Sequence, residues 1–559
     1  MPSTRDNSGR HDLAANEGIA VLVATHATNR RHTMRIKALV ATRSGYTATC
    51  VVAAIITTLV FTFRRGQDVN WDQLNYHLSI PFLLLHGTFW DSIAPAGIQS
   101  YLNPLVLVPQ YIVIRALPPL LAATTIDLAQ AMAFVVAARI CLRIAGPDPG
   151  EGGYGAAFLG FVLCVASPMA LSEAGTTIVD LITSVPVLLA YLLLLTRDDA
   201  AAPRHACLAA GLLLGLAAGL KVTNMVFAIG APAFFLVGPA PPRRRAAGVT
   251  QLVLGGVVGF LGIAGWWHLT LWRRFHNPIF PYFNNIFRSP DFPPIELRDR
   301  NFVTHSPWAM LSYPYYWLVG GSTTPIRLSP ASETDPKDAR FAFALAGAVA
   351  VLGIAVFRRS RRLAPLARPE TGLLLACAID YPVWLYTFGI HRYMVPLEIL
   401  CGTVVLTLAG WIATGVWRER LLLVLVVLTL ARVHVGTWQR LPWQDQWRTI
   451  AASPLALPGR PLVFLTFAPS AFLALSLPAE ARYVDLGCGE INLCGPETTL
   501  TRQLRADLNA NPPFSLYAVI QDGRPPRISG LTAYGMRLGT QCQRLAVAAK
   551  AYLICDVLR

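Results

Sequence analysis

Long apolar stretches alternate with short polar connectors over most of the chain. The stretches are residues 46–63, 119–138, 154–171, 176–196, 206–220, 222–238, 249–271, 339–357, 371–389, 394–416 and 421–435. A helix of about 20 apolar residues crosses about 30 Å of hydrocarbon. Lipid offers no partner to a free N–H or C=O, so such stretches must be helices. The pattern predicts a polytopic α-helical membrane protein with about eleven transmembrane helices. Residues 103–118, "NPLVLVPQYIVIRALP", are short, proline-flanked and interrupted by Arg115, which predicts a helix lying at the interface. After residue 435 the pattern changes. "PLVFLTF" and "PFSLYAVI" read as buried strands and "ETTLTRQLRADLNA" as an amphipathic helix, giving a small α/β domain.

Charge supplies orientation. Only 14% of residues are charged and 54% are apolar, yet the net charge is +16. Most basic residues fall in short connectors such as "PAPPRRR", "RRSRRLAPLAR" and "WRER". That is the positive-inside pattern, not a nucleic-acid surface. It predicts a cytoplasmic, disordered tail at 1–45 and a membrane module at 46–435 with outer loops 64–118 and 273–338. An odd number of spans places 436–559 outside the cell. No signal peptide is recognisable, and Met34 offers an alternative start. Arg64 and Arg65, at the outer end of the first span, run against the pattern. Of ten cysteines, six fall in or within a few residues of spans and four, Cys488, Cys494, Cys542 and Cys555, in the outer domain. Local spacing pairs Cys488 with Cys494 and Cys542 with Cys555 as disulfides. The alternative, a zinc site, lacks CxxC spacing.

Candidate chemistry gathers at one side of the membrane. "QDVNWDQLNYHLSIPFLLLHGTFWD", residues 67–91, opens the first outer loop with three aspartates, two asparagines and two histidines. Asp72 can be read as a helix N-cap, and Asp91 likewise. Yet Asn75, Tyr76 and His77 crowd Asp72, as in the wall of a watery cavity. Asp180 ("GTTIVDLITS"), Lys221 ("GLAAGLKVTN") and Arg392 ("HRYMVPLE") fall on the same side, with Glu398 about two turns deeper. Snorkelling to the interface is the plainer account of each cation alone. Asp380, in mid-span, reads as a structural hydrogen-bond acceptor. Together the cations suit a lipid phosphate or pyrophosphate, and a carboxylate suits a general base. The aromatic loop 273–338, with "RFHNPIFPYFNNIF" and "PWAMLSYPYYWLVG", reads mostly as interface anchors. A few of its rings could stack on sugars or fence an isoprenoid chain.

The order of these pieces resembles the GT-C superfamily of polyprenyl-phosphate-dependent glycosyltransferases, in the branch of protein O-mannosyltransferases and aminoarabinose transferases. "DQLNYH" matches an acidic motif followed by a helical tyrosine, with Asp72 in the acidic place and Tyr76 and His77 beside it. Gln73 stands where a second acidic residue is common. "NPLVLVPQY", beginning at Asn103, matches a proline-led interfacial helix. Asp180 opens a later span, "GLAAGLK" supplies Lys221 and "RYMVP" supplies Arg392. The resemblance covers roughly residues 46–416; the "NPIFPYFN" loop and the C-terminal domain do not match.

The resemblance implies an inverting transfer from a polyprenyl-phosphate sugar to a lipid, glycan or protein acceptor, at the outer face of a bacterial inner membrane. Asp72 is then the base, and Lys221 and Arg392 hold the phosphate. Asp91, Asp180, Tyr76, His77 and Asn103 contact acceptor or sugar. Neither a metal nor another cofactor is expected. The rival readings are a flippase for a lipid-linked saccharide, an O-antigen ligase or polymerase, and a non-catalytic glycolipid-binding scaffold. A flippase commonly shows inverted repeats, and none is visible. A ligase rests on arginines in a late loop, whereas the acidic motif here comes early.

Overall fold

The computed structural model describes residues 42–146, 153–196, 204–238, 240–297, 301–304, 306–320, 332–357, 368–450, 454–489, 491 and 493–559. The expected tail up to residue 41 and the basic connectors 197–203 and 358–367 lie outside the described residues.

Each expected span is occupied by an apolar helix. In order these are Arg43–Arg65, Pro119–Ala145, Gly153–Val165, Asp180–Thr196, Arg204–Leu220, Met225–Gly230 running on through Ala231–Phe235, Pro242–Phe275, Arg340–Phe357, Pro369–Thr387, Val395–Ile412 and Gly415–Arg432. Four apolar helices, Arg43–Arg65, Pro119–Ala145, Pro242–Phe275 and His391–Ile412, are long enough by themselves to cross a membrane. The fold is thus that of a helical membrane protein.

Two kinds of contact lock the bundle. Arg204–Leu220 packs against Pro242–Phe275 with backbones touching. A Cβ at Gly211, Gly215 or Gly255 would strike the facing main chain. Small residues at four-residue spacing permit this approach, which replaces the missing hydrophobic drive between helices in lipid. Buried polar groups supply the rest. Asp127 accepts from Thr58 and Thr62, each at 2.8 Å. Asp380 accepts from the Tyr191 hydroxyl at 2.6 Å, as expected of a structural acceptor. Arg340, fully buried, donates to both oxygens of Asp338 at 2.8 and 2.5 Å, to Leu163 O at 2.7 Å and to Ser167 Oγ at 2.8 Å. Glu398 accepts the backbone N–H groups of Met169 and Ala170 at 2.9 and 3.0 Å.

The start of the loop after the first helix is clamped by chain from beyond the Gly415–Arg432 helix. Strand β1 (Gln67–Asp68) pairs antiparallel with β2 (Arg440–Leu441). Arg65 donates to the carbonyls of Val435 and Gly436. That resolves one of the two ill-placed arginines: Arg65 ties the exit of the last helix to the exit of the first. The interfacial segment is helical at Pro104–Val106 and Leu107–Ala116. "PWAMLSYPYYWLVG", expected as irregular loop, instead forms the helix Pro307–Val319, capped by the Ser306 hydroxyl. Proline suits the first turn, where its missing N–H is no loss. Trp308 there is 79% exposed, while Tyr313 and Trp317 are buried.

The C-terminal region forms a five-stranded sheet of β3 (Pro461–Leu465), β4 (Arg482–Asp485), β5 (Ser515–Gln521), β6 (Arg537–Val547) and β7 (Lys550–Leu558). The spatial order is β4-β3-β5-β7-β6. β3 runs parallel to both β4 and β5, and the β5–β7 and β7–β6 pairs are antiparallel. The helix Thr499–Leu508 buries Leu500, Leu504 and Leu508 and starts in a capping box at Thr498 and Thr501. Both expected disulfides are present, Cys488–Cys494 and Cys542–Cys555, the second directly across β6 and β7. Ile93 of the loop after the first helix exchanges hydrogen bonds with the β4 edge, to Tyr483 O at 2.8 Å and from Asp485 N at 3.1 Å. That loop and this domain therefore share one core, in which Leu83, Phe89, Phe472 and Tyr483 are buried together.

Candidate active site

The first helical turn after the loop strand β1 is not capped by Asp72. Asn70 Oδ1 accepts the Gln73 N–H at 2.9 Å, and Asp68 Oδ1 accepts the Asn70 N–H at 3.0 Å. Asp72 makes no capping bond, and its side chain is free to point elsewhere. The following turn, Gln73–His77, is π-helical. Bonding from i to i+5 widens the turn and brings residues five apart onto one face, a feature common at functional sites. Asp72 and His77 thus share a face.

Asp72 pairs with Arg392. The Arg392 Nη1 donates to Asp72 Oδ2 across 320 positions of chain. Arg392 stands on the short turn His391–Met394 that leads into the Val395–Ile412 helix. Its Nε lies 2.9 Å from Glu333 Oε2. Lys221, at the end of the Gly-packed helix, donates to Asp180 Oδ1. Tyr393 joins the two pairs: its ring centre is 4.5 Å from Lys221 Nζ and 5.3 Å from the Arg392 guanidinium. Trp438 faces Arg392 at 5.9 Å and donates its indole N–H to Ser172 Oγ at 2.9 Å.

The charges set each other. Burial alone would push the Asp72 carboxyl up, but Arg392, with lesser help from Lys221, holds it below the ordinary carboxylate range. Burial pushes the Glu333 carboxyl up, and the pull of Arg392 does not fully offset it. His77 is pushed by burial down to about 3, so the ring is neutral near pH 7. Its tautomer follows from its neighbours. Thr177 gives its hydroxyl proton to Asp68 Oδ2 at 3.0 Å. The Thr177 oxygen, 3.0 Å from His77 Nδ1, is left to accept, so Nδ1 carries the hydrogen. His77 Nε2 is then a bare acceptor, buried and without a hydrogen-bond partner among the described residues; Asp180 Oδ2 is the same.

The remaining expected residues divide. Tyr76 is buried with its ring 4.4 Å from that of His77. Burial, and then the Asp72 charge, raise its hydroxyl well above the ordinary range. Asp91 is half exposed and pairs with Arg482 of the C-terminal sheet at 3.5 Å. Asn103 caps its own helix through Leu105 N at 3.1 Å and donates to Gly219 O at 2.8 Å. The structure gives these two interdomain and interhelical partners, not places in the cluster. Glu398 belongs to the Arg340 network, 3.7 Å from Arg340 Nη2 and 3.6 Å from His391 Nε2. Three residues of the cluster escaped sequence reasoning: Glu333, Tyr393 and Trp438. Tyr393 adjoins Arg392 in "HRY", a signal that was there to use. Glu333, in "SPASETD", and Trp438, in "VGTWQR", carry no periodicity that marks them.

Among solved structures, ArnT from Cupriavidus metallidurans bound to undecaprenyl phosphate aligns with a TM-score of 0.51 at 15% identity, over 92% of this chain and 98% of that one. At that identity the likeness shows the fold alone. The apo state of the same protein gives 0.49 at 14% identity, over 92% and 98%. The Archaeoglobus fulgidus oligosaccharyltransferase, in complex with Zn and sulfate, gives 0.44 at 12% identity, over 84% and 68%. These two weaker alignments carry no argument. No curated protein matches the sequence. The profile of glycosyltransferase family 87 matches residues 101–385, just over half of the chain. That stretch contains Asp180, Lys221 and Glu333, and Asp72 and Arg392 flank it. With a GT-C fold beneath it and a profile match over more than half its length, this chain belongs to glycosyltransferase family 87.

Proposed function

We propose that this protein transfers a sugar from a polyprenyl-phosphate donor to an acceptor hydroxyl at the outer face of a bacterial inner membrane, with inversion. The observation that carries the reading is the convergence of Arg392 and Lys221 on Tyr393, with Asp72 held against Arg392. ArnT, which shares the fold, binds undecaprenyl phosphate, and that supports the donor class. The two cations take the donor phosphate and stabilise the charge it gains as the sugar C1–O bond breaks. The acceptor oxygen attacks C1 from the opposite face, and its proton passes to Asp72. The products are the glycosylated acceptor and the polyprenyl phosphate. Asp180 Oδ2 and His77 Nε2 are acceptors without partners, suited to sugar or acceptor hydroxyls.

His77 is a second candidate for the proton, because its Nε2 is bare. The causes of the two depressed basicities favour Asp72. Asp72 is held down by Arg392, and a phosphate that engages the guanidinium relieves that restraint. His77 is held down by burial, which a bound substrate deepens. In this reading all eleven apolar helices span the membrane, the N-terminus is cytoplasmic, and 436–559 is extracytoplasmic.

The test is Asp72→Asn. The variant is expected to bind undecaprenyl phosphate in nanodiscs. Mass spectrometry of the glycoconjugates from cells carrying it should match a deletion strain, since a general base contributes about a hundredfold or more. A wild-type glycoconjugate profile from the Asp72→Asn strain sinks the proposal.

A further inference from the structure

Three carboxylates, Asp72, Asp180 and Glu333, are ion-paired to two cations in this cluster. The third is surplus to charge balance, and it differs from the others in every respect that bears on movement. The Glu333 side chain is 30% exposed, against 10% for Asp72 and 3% for Asp180. It stands on an irregular bend, whereas Asp72 and Asp180 stand on helices. The bend is anchored just past the carboxylate but not at it. Thr334 packs on Gly436, Lys337 and His434 exchange backbone bonds at 3.1 Å, and Asp338 is fixed by Arg340. The Glu333 carboxylate itself meets Arg392 Nε, while Asp72 takes Nη1. Asp72 takes one hydrogen-bond donor of a fork shaped to grip a phosphate through paired N–H groups, and Glu333 stands in ion-pair contact with a second nitrogen, Nε, whose N–H has no aligned acceptor among the described residues.

We propose that Glu333 is an internal stand-in for the donor phosphate: its carboxylate fills the phosphate seat on Arg392 Nε and must withdraw to water when the lipid phosphate arrives. This rests on the polyprenyl-phosphate reading above. The half-open position makes withdrawal cheap in solvation. Occupancy keeps the guanidinium ion-paired when no donor lipid is bound. It also makes donor binding competitive, so the affinity for polyprenyl phosphate is lower than the cations alone would give.

The experiment measures binding of undecaprenyl phosphate to the full chain in nanodiscs, with thermal melting of each variant as a check on folding. Glu333→Gln removes the competing charge and is expected to tighten binding about tenfold. Glu333→Asp keeps the charge but draws it back by one methylene, and it too is expected to tighten binding. Arg392→Ala is expected to abolish binding. Unchanged or weaker binding by Glu333→Gln overturns the inference, since it makes the residue a strut for Arg392. Tightening by Glu333→Gln with none by Glu333→Asp also overturns it, because net charge and not seat occupancy is then the cause. If the wild-type chain and all variants fail to bind, the donor reading falls and takes this inference with it. Binding by the wild-type chain leaves the donor reading standing whatever the Glu333 variants do.

Discussion

At the scale of single residues, the cluster keeps two proton acceptors, His77 Nε2 and Asp180 Oδ2, without hydrogen-bond partners among the described residues. Asp68 orients Thr177, Thr177 orients His77, and the imidazole presents an unprotonated Nε2. The neutral ring has a consequence for stability. The unfolded chain protonates histidine near its ordinary pKa of 6.5, while the folded protein resists until about 3. Between those values the unfolded state binds the extra proton, so stability present above pH 6.5 is lost as the pH falls. Melting temperatures in detergent should therefore drop from pH 7 to pH 4, and His77→Gln should flatten that drop. An equal acid slope in the variant counts against the buried neutral ring. Arg392 shows a second residue-scale point. It holds Asp72 and Glu333 through different nitrogens at once, which the point charge of a lysine does not reproduce.

At the scale of elements, the site depends on parts far from it in sequence. The β1–β2 clamp joins the loop after the first helix to the chain after the Gly415–Arg432 helix, and Trp438, two residues before β2, lies against Arg392. The Arg340–Asp338 pair joins the Glu333 bend to the helix that carries Glu398, whose carboxylate in turn faces His391, next to Arg392. Both members of the Arg340 pair are fully buried, so removing one strands the other without water. Arg340→Leu should destabilise the protein by about 3–5 kcal/mol, seen as a lower melting temperature. The double variant Arg340→Leu with Asp338→Leu should recover part of the loss. A single variant as stable as wild type shows that this network is not what holds the bend.

At the scale of the whole molecule, membrane module and C-terminal sheet are one body. The loop that carries Ile93 bonds to the β4 edge and both contribute to a common core. Placing 436–559 outside the cell therefore places the Asp72–Arg392 cluster at the same end of the bundle, because Trp438 and β2 touch both. Alkaline phosphatase fused after Arg559 should be active if that end is extracytoplasmic, and an inactive fusion reverses the topology. Alkylation of the denatured protein should label the six free cysteines without reductant and all ten with it. Ten labels without reductant show that the disulfides do not form in the cell.

What the sequence determined by itself was everything that lipid enforces locally. Apolar runs marked the apolar helices of the described bundle, and "PLVFLTF", "PFSLYAVI" and "ETTLTRQLRADLNA" marked two strands and a helix, because burial selects apolar residues at fixed periods. It also showed that Asp72, Asp180, Lys221 and Arg392 were unusual, because charge near hydrocarbon is costly. The remaining strands, β4, β6 and β7, were not legible; β6 is a largely exposed edge strand without clear alternation. Only the tertiary structure decided the pairings: Asp72 with Arg392 and Asp180 with Lys221. It turned Asp91 toward Arg482 and Asn103 toward a neighbouring helix, and it brought in Glu333. Partners hundreds of positions apart meet through the packing of helices between them, and no local pattern records which carboxylate a cation will face.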